Sequence, residues 1–197
     1  MLDERHIASA AFADTVALHQ AFATGGLEPV IEAARAIAAS FRQGGKLLIF
    51  GNGGSASDAQ HVAAEFIGRF LRERRALPAV ALTTDTSILT AIGNDYSFDR
   101  IFVRQIEALG QPGDVALGIS TSGKSPNVVS ALDVARERGL TTIGVTGQDG
   151  GPVGRAVAIH INVPSSSTPR VQEVHRTLLH VICDLAEQAM SDAPGHS

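Results

Sequence analysis

Only one cysteine, Cys183, occurs in the 197 residues. A disulfide framework is therefore excluded, and a reducing, cytoplasmic setting is expected. Basic residues are not in excess. Sixteen Lys and Arg stand against twenty Asp and Glu, for a net charge of -4. No protein-wide positive field exists to drive non-specific nucleic-acid binding, so no nucleic-acid partner is expected. Long apolar runs are missing as well. The run from Ala76 to Leu82 is short and contains Pro78, whereas a membrane-crossing helix needs about twenty apolar residues. The opening Met1-Leu2-Asp3-Glu4-Arg5-His6 has no basic start followed by an apolar stretch, so neither a secretion signal nor a membrane partner is expected. Charged residues make up 18% and hydrophobic residues 44%, which excludes a disordered chain. A chain of this length buries roughly 70% of its unfolded surface, enough for a core without staples. One domain over 1–197 is expected, with N-terminal helices over 1–43 and an α/β core with a C-terminal helix over 44–190.

Hydrophobic spacing divides the chain. From Asp3 to Phe41 apolar residues recur at helical period, and Gly25-Gly26 splits the pattern into two helices. Gly44-Gly45 ends the second. Five short runs of strand type follow: Lys46 to Phe50, Ala79 to Thr83, Val115 to Ile119, Thr141 to Val145 and Ala158 to Val163. Helical patterns separate them, at Asp58 to Phe70, Thr86 to Ile92, Phe102 to Leu109 and Pro126 to Arg138. Such alternation predicts a parallel sheet with helices on both faces. Arg170 to Met190 reads as a long amphipathic helix, and Asp192 to Ser197 as a frayed tail.

In such sheets ligands bind at the carboxyl ends of the strands. The first strand runs into Gly51-Asn52-Gly53-Gly54-Ser55-Ala56-Ser57. The glycines admit close backbone approach, and Ser55 or Ser57 can cap the next helix, which makes an anion site or a plain tight turn. The third strand runs into Ser120-Thr121-Ser122-Gly123-Lys124-Ser125-Pro126. Hydroxyls and free N–H groups here could wrap phosphate oxygens, or merely cap a helix. Gly118, Gly123, Lys124 and Ser125 also match the P-loop pattern. That reading needs an Asp after a second strand to hold magnesium, and Asp85 is the better candidate.

His61 and Glu65 are four apart and share a helix face. Gln172 and His180, eight apart, share a face of the last helix. Imidazole, carboxylate and amide oxygen form a plausible divalent-metal set, and the His and Glu a plausible acid/base pair. Asn94-Asp95 closes the helix after the second strand, as a turn or as a ligand contact.

Taken together, Gly51-Asn52-Gly53-Gly54-Ser55, His61-Val62-Ala63-Ala64-Glu65, Leu82-Thr83-Thr84-Asp85, Ala91-Ile92-Gly93-Asn94-Asp95, the Ser120–Ser125 loop and Gln172-Glu173-Val174-His175 with His180 resemble the bacterial phosphoheptose isomerases of the sugar-isomerase domain family. The resemblance runs in order through nearly the whole chain. It implies a flavodoxin-like three-layer α/β sandwich with a five-stranded parallel sheet, an N-terminal helical arm and a long C-terminal helix. It implies a homotetramer with active sites between subunits, acting on a sugar phosphate. Sedoheptulose 7-phosphate would become D-glycero-D-manno-heptose 7-phosphate, toward lipopolysaccharide heptose. By the same resemblance Ser55, Ser120, Thr121, Ser122 and Ser125 would hold phosphate, and Asn52, Gly53, Gly54, Asn94 and Asp95 would line the sugar. Glu65 and His180 would be the acid/base pair. His61, Glu65, Gln172 and His180 would bind one zinc per subunit, with no nucleotide cofactor. A non-catalytic relative that binds the replication initiator lacks the equivalents of Glu65 and His180, and this chain has both. Pro169 stands where some heptose isomerases carry an acidic residue.

Overall fold

A computed structural model describes residues 3–191. Five strands, β1 (Leu47–Gly51), β2 (Ala79–Ala81), β3 (Val115–Ser120), β4 (Thr141–Gly147) and β5 (Ile159–Val163), form one all-parallel sheet in the order β2-β1-β3-β4-β5. This is the doubly wound, flavodoxin-like order, with its switch point between β1 and β3. The predicted three-layer α/β fold is therefore the one observed.

The central strands β1, β3 and β4 are buried on both faces and read as continuous apolar runs, whereas the edge strands β2 and β5 alternate. Alternate residues nevertheless divide between two cores. Leu47, Ile49, Leu117, Ile143 and Ile161 pack under α2 (Leu27–Arg42), α3 (Gly54–Ile67) and α8 (Thr168–Ser191). Leu48, Phe50 and Ala116 pack under α5 (Val103–Leu109), α6 (Pro126–Glu137) and the short α7 (Gly151–Arg155). Phe50 and Phe102 meet at 5.3 Å between ring centroids. In α8, Leu178, Leu179, Ile182 and Ala186 are buried, as the helical pattern predicts, whereas Val181 is turned to solvent.

The first helix, α1 (Glu4–Gly25), buries no residue. It is pinned to α8 by polar contacts. Arg170 donates to the Ala11 carbonyl (2.5 Å) and to Thr15 Oγ1 (2.6 Å), and His19 bonds Thr177.

Several boundaries differ from the sequence expectation. α3 begins at Gly54 rather than Asp58, because Gly53 at φ 56° turns the chain straight out of β1. It ends at Ile67, not Phe70, and Ile67 faces solvent. β2 is cut to three residues, since Leu82 leaves the ladder after bonding Ile49. Asn94 and Asp95, expected in a loop, form the last turn of α4 (Thr86–Asp95). The five-residue α7 and a one-turn helix at Phe98–Arg100 carry too few residues to show a period. The expected frayed tail, Asp192 to Ser197, lies outside the described residues.

His175 is fully buried beneath the sheet's carboxyl edge. Its Nε2–H donates to the Thr146 carbonyl at 2.9 Å, while Nδ1 has no partner among the described residues. Burial pushes its pKa down to about 4 despite that bond. The unfolded chain then binds the extra proton between pH 6.5 and about 4, so stability falls as pH falls through that window and levels off below it. This group alone should remove about 2 kcal/mol between pH 7 and pH 5. Urea midpoints at the two pH values check this, and His175→Gln should flatten the difference.

Candidate functional site

The β1–β3 pairing sets Gly51 beside Ile119 and brings the two loops that follow these strands together. A Cβ on Gly51 would lie 2.8 Å from the Ile119 carbonyl and 2.9 Å from Ser55 Cβ, so only glycine allows this approach. Ser55 is buried in the first turn of α3. Across the crevice Asn52 and Asn127 exchange two amide hydrogen bonds, 2.9 and 3.0 Å. Asn127, in the first turn of α6, is buried. Its part in locking the two loops together was not read from the sequence, where it looked like an ordinary first-turn residue.

The helix starts are not capped as expected. Neither Ser55 nor Ser57 caps α3, whose N-cap is Gly53, and Ser125 precedes α6 without a side-chain cap bond. Ser125 Oγ instead meets Ser120 Oγ at 3.0 Å. Ser120 and Ser122 hydroxyls stand 3.5 Å apart, and Ser122 Oγ accepts from the Lys124 backbone N–H. The loop thus gathers its hydroxyls inward, with Thr121 half-buried beside them. Hydroxyls and open N–H groups at a helix start are the elements of a phosphate cradle. Lys124 is exposed, and Asp85 uses its carboxylate to cap α4 through the Ile88 N–H. The magnesium-holding partner that a P-loop needs is thereby committed elsewhere.

α3 and α8 pack against each other. That contact brings His61 and His180 together, Nε2 to Nε2 at 2.8 Å, and Glu65 Oε1 lies 3.2 Å from His61 Nε2. One assignment satisfies all three groups: His61 Nε2–H is shared by Glu65 and His180, and His180 Nε2 accepts. Desolvation holds the His180 pKa below the usual histidine value, with His61 and Arg176 adding to the depression. The imidazole is then neutral near pH 7. Buried Asp58, one turn before His61, pairs with Arg176, one turn before His180. Desolvation raises its pKa, while Arg176 and the two histidines oppose that rise. Asp58 was also missed; in sequence it looked like the first residue of a helix.

Gln172 lies two turns before His180, with its amide against Gly54. It joins the glycine loop and is not in the His–Glu contact. Asn94 Nδ2 donates to Asp95 Oδ1 at 2.8 Å, and Asp95 lines a separate groove with Ile88, Tyr96 and Arg104. No side-chain hydrogen bond among the described residues joins these two to either loop. A cavity of about 640 Å³ opens beside Gly54, Asp58, Gln172 and Arg176. Pro169 is on its wall. Cys183 is buried and its thiol pushed up to about 12, so it is no nucleophile.

A family model described as SIS domain matches residues 12–147. A phosphoheptose isomerase of Trichlorobacter lovleyi is 56% identical over 177 residues, 90% of each chain. One of Pelobacter propionicus is 62% identical over 151 residues, 77% of this chain and 80% of the relative. The solved phosphoheptose isomerase of Neisseria gonorrhoeae superposes with a TM-score of 0.90 at 44% identity, covering 94% of this chain and all of the other. That of Francisella tularensis gives 0.92 at 34%, covering 95% and 100%. The fold is that of the solved phosphoheptose isomerases, and the chain belongs to the SIS-domain family and, within it, to the phosphoheptose isomerases.

Gly123 sits at φ +65°, and a Cβ there would stand 2.3 Å from the Gly150 carbonyl. Gly123→Ala must therefore push the hydroxyl loop off the β4–α7 turn. Binding of inorganic phosphate, followed by calorimetry, should weaken about tenfold or more, as small misplacements of positioned groups do.

Proposed function

We propose that this chain isomerises sedoheptulose 7-phosphate to D-glycero-D-manno-heptose 7-phosphate through an enediol, in the cytoplasm, toward the heptose of lipopolysaccharide. The observation that carries the reading is one helix serving both ends of such a substrate. α3 carries Ser55 in its first turn at the hydroxyl loops and presents His61 and Glu65 farther along. The rise from Ser55 to His61 is about 9 Å at 1.5 Å per residue. That is the order of an extended seven-carbon sugar between its phosphate and its carbonyl end. The high identity to chains named phosphoheptose isomerase supports the same reading.

Isomerisation moves a proton between C1 and C2 and shifts the carbonyl between their oxygens. It needs a base at carbon and an acid at oxygen, with roles exchanged in the reverse direction. Glu65 takes the carbon proton. His180, neutral and linked through His61 to Glu65, exchanges the proton at O1 or O2. Ser55, Ser120, Thr121, Ser122 and Ser125 hold the phosphate, so binding energy remote from the reacting carbons orients them. Asn52, Gly53, Gly54, Gln172, Asn94 and Asp95 line the sugar.

Zinc belongs to the same proposal. Two imidazole nitrogens facing each other, with a carboxylate alongside, are the donor types a divalent cation takes. They stand as a hydrogen-bonded set; no group of three or more His, Cys, Asp or Glu among the described residues lies at metal-holding spacing. His61, Glu65, Gln172 and His180 would hold the ion. Bound there, it would supply electrophilic stabilisation of the carbonyl oxygen.

A homotetramer with shared sites is the expected assembly. Phe12 and Val16, four apart, leave α1 with an exposed apolar stripe, Phe12 at 76% exposure. Light scattering should give four times the chain mass, and a monomer would overturn the shared-site arrangement.

Turnover of sedoheptulose 7-phosphate tests the activity. Glu65→Gln and His180→Gln should each lower kcat by about 10² to 10⁴. Lys124→Ala should change it less than about threefold, as truncations of exposed side chains usually do. Wild-type protein that turns over no ketose phosphate, with zinc restored, would overturn the isomerase reading in favour of a protein-binding scaffold. Loss on chelation, regained with zinc, would establish the metal's part.

A further inference from the structure

A carboxylate outside the described site is tied to it from behind. Glu187, near the end of α8, is fully buried. It accepts three successive backbone N–H groups from the segment after α3: Phe70 at 2.8 Å, Leu71 at 2.7 Å and Arg72 at 2.9 Å. Arg74 lies 3.3 Å from the same carboxylate, its own side chain almost wholly buried. A buried carboxylate is costly unless its oxygens are satisfied, and three N–H donors with the Arg74 charge alongside satisfy this one. A glutamine has one acceptor oxygen and two donors, so it cannot take the same place.

Both ends of this clip lead to the reacting groups. Arg74 Nη2 donates to the Glu65 carbonyl at 2.8 Å, and Nη1 to the Gly68 carbonyl at 2.8 Å. The guanidinium therefore closes the end of the helix that carries Glu65. On the other side, the Phe70 ring packs tilted against the His180 imidazole, centroids 5.5 Å apart and planes at 33°. The backbone N–H of that same Phe70 is the first held by Glu187. Glu187 and His180 are seven residues apart, two turns along one stripe of α8. The segment 68–74 thus bridges two turns of α8 and contacts the acid/base pair through a ring at one end and a guanidinium at the other. This arrangement exceeds what tying down a loop requires, because a tether alone has no need to end on His180.

We infer that Glu187 is a positioning residue for the isomerisation, acting through the Phe70–Arg74 segment to fix the His180 ring plane and the end of α3 that carries Glu65. The inference rests on the isomerase reading of Glu65 and His180. It concerns orientation, so its loss should appear in kcat with KM held, because the phosphate loops are untouched.

The decisive variant is Phe70→Leu, which keeps the backbone N–H on Glu187 and removes only the ring against His180. Its kcat for sedoheptulose 7-phosphate should fall about tenfold with KM within about twofold, and Phe70→Tyr should restore it. The His180 ring resonances, read by NMR on the folded protein without substrate, should shift in Phe70→Leu and return in Phe70→Tyr. Glu187→Gln, where it folds, should show the same kcat loss and the same shift. A Phe70→Leu variant with wild-type kcat, or with unmoved His180 resonances, would overturn the inference and leave Glu187 a loop tether. Wild-type protein without turnover would instead overturn the isomerase reading, while the resonances would still report whether Phe70 sets the ring.

Discussion

The parallel pairing of β1 with β3 is the constraint on which the site depends. It places two strand ends side by side with no strand between them. Chain leaving β1 turns into α3, and chain leaving β3 turns into α6. The helix starts therefore face one crevice, and their unpaired N–H groups converge there. The fit is tight enough that Gly51 can carry no side chain. The Asn52–Asn127 amide pair then fixes the separation of the loops, since each amide satisfies the other's donor and acceptor. A cradle built of dipoles and hydroxyls can take a dianion without a resident positive charge. That explains how an acidic chain with an exposed Lys124 can have such a loop.

The second constraint is the packing of α3 on α8. Neither helix alone has a reactive constellation. α3 offers His61 and Glu65, and α8 offers His180. Their contact places the two ring nitrogens at hydrogen-bond distance and seals the apolar sides with Val62, Phe66, Leu179 and Ile182. The pairing of Asp58 with Arg176 runs along the same seam, one turn earlier on each helix. Successive polar pairs on one seam fix the helical register, because sliding by a turn would leave a buried charge alone.

Much of this was legible in the sequence, for physical reasons. Buried parallel strands are short apolar runs, and glycine at their ends marks the turns, so all five strands and the long helices could be read. His61 with Glu65, and His180 on a later helix, could be read because four- and eight-residue spacings carry geometry. What could not be read depends on contacts between distant segments. Asn127, Asp58 and Glu187 look like ordinary helix residues until Asn52, Arg176 and the Phe70–Arg72 backbone are brought to them. The capping role given to Ser55 or Ser57, and the helix cap offered by the Ser120–Ser125 hydroxyls, failed for a related reason. Local chemistry favours serine as a cap, but Ser120 offers Ser125 a different partner and Gly53 sets the start of α3 before either serine. Asn94 and Asp95 remained with α4 because a helix ends where its pattern and tertiary support end, not where polar residues begin.

These departures share a direction. A hydroxyl that caps its own helix is already satisfied and has little to offer a ligand. Here the hydroxyls of Ser120, Ser122 and Ser125 point toward one another, and hydroxyl–hydroxyl bonds are readily exchanged for bonds to a stronger acceptor. The same holds at the other end of the crevice. His61, Glu65 and His180 bond each other, so their hydrogen bonds can rearrange without stranding a buried group. The permanent bonds lie one layer farther out, in the Asn52–Asn127 pair and in Glu187 with its three N–H donors. A site that must bind a dianion and pass protons needs exchangeable bonds at its surface and fixed ones behind. This chain separates the two by depth, and the fixed layer is the part composition and spacing did not reveal.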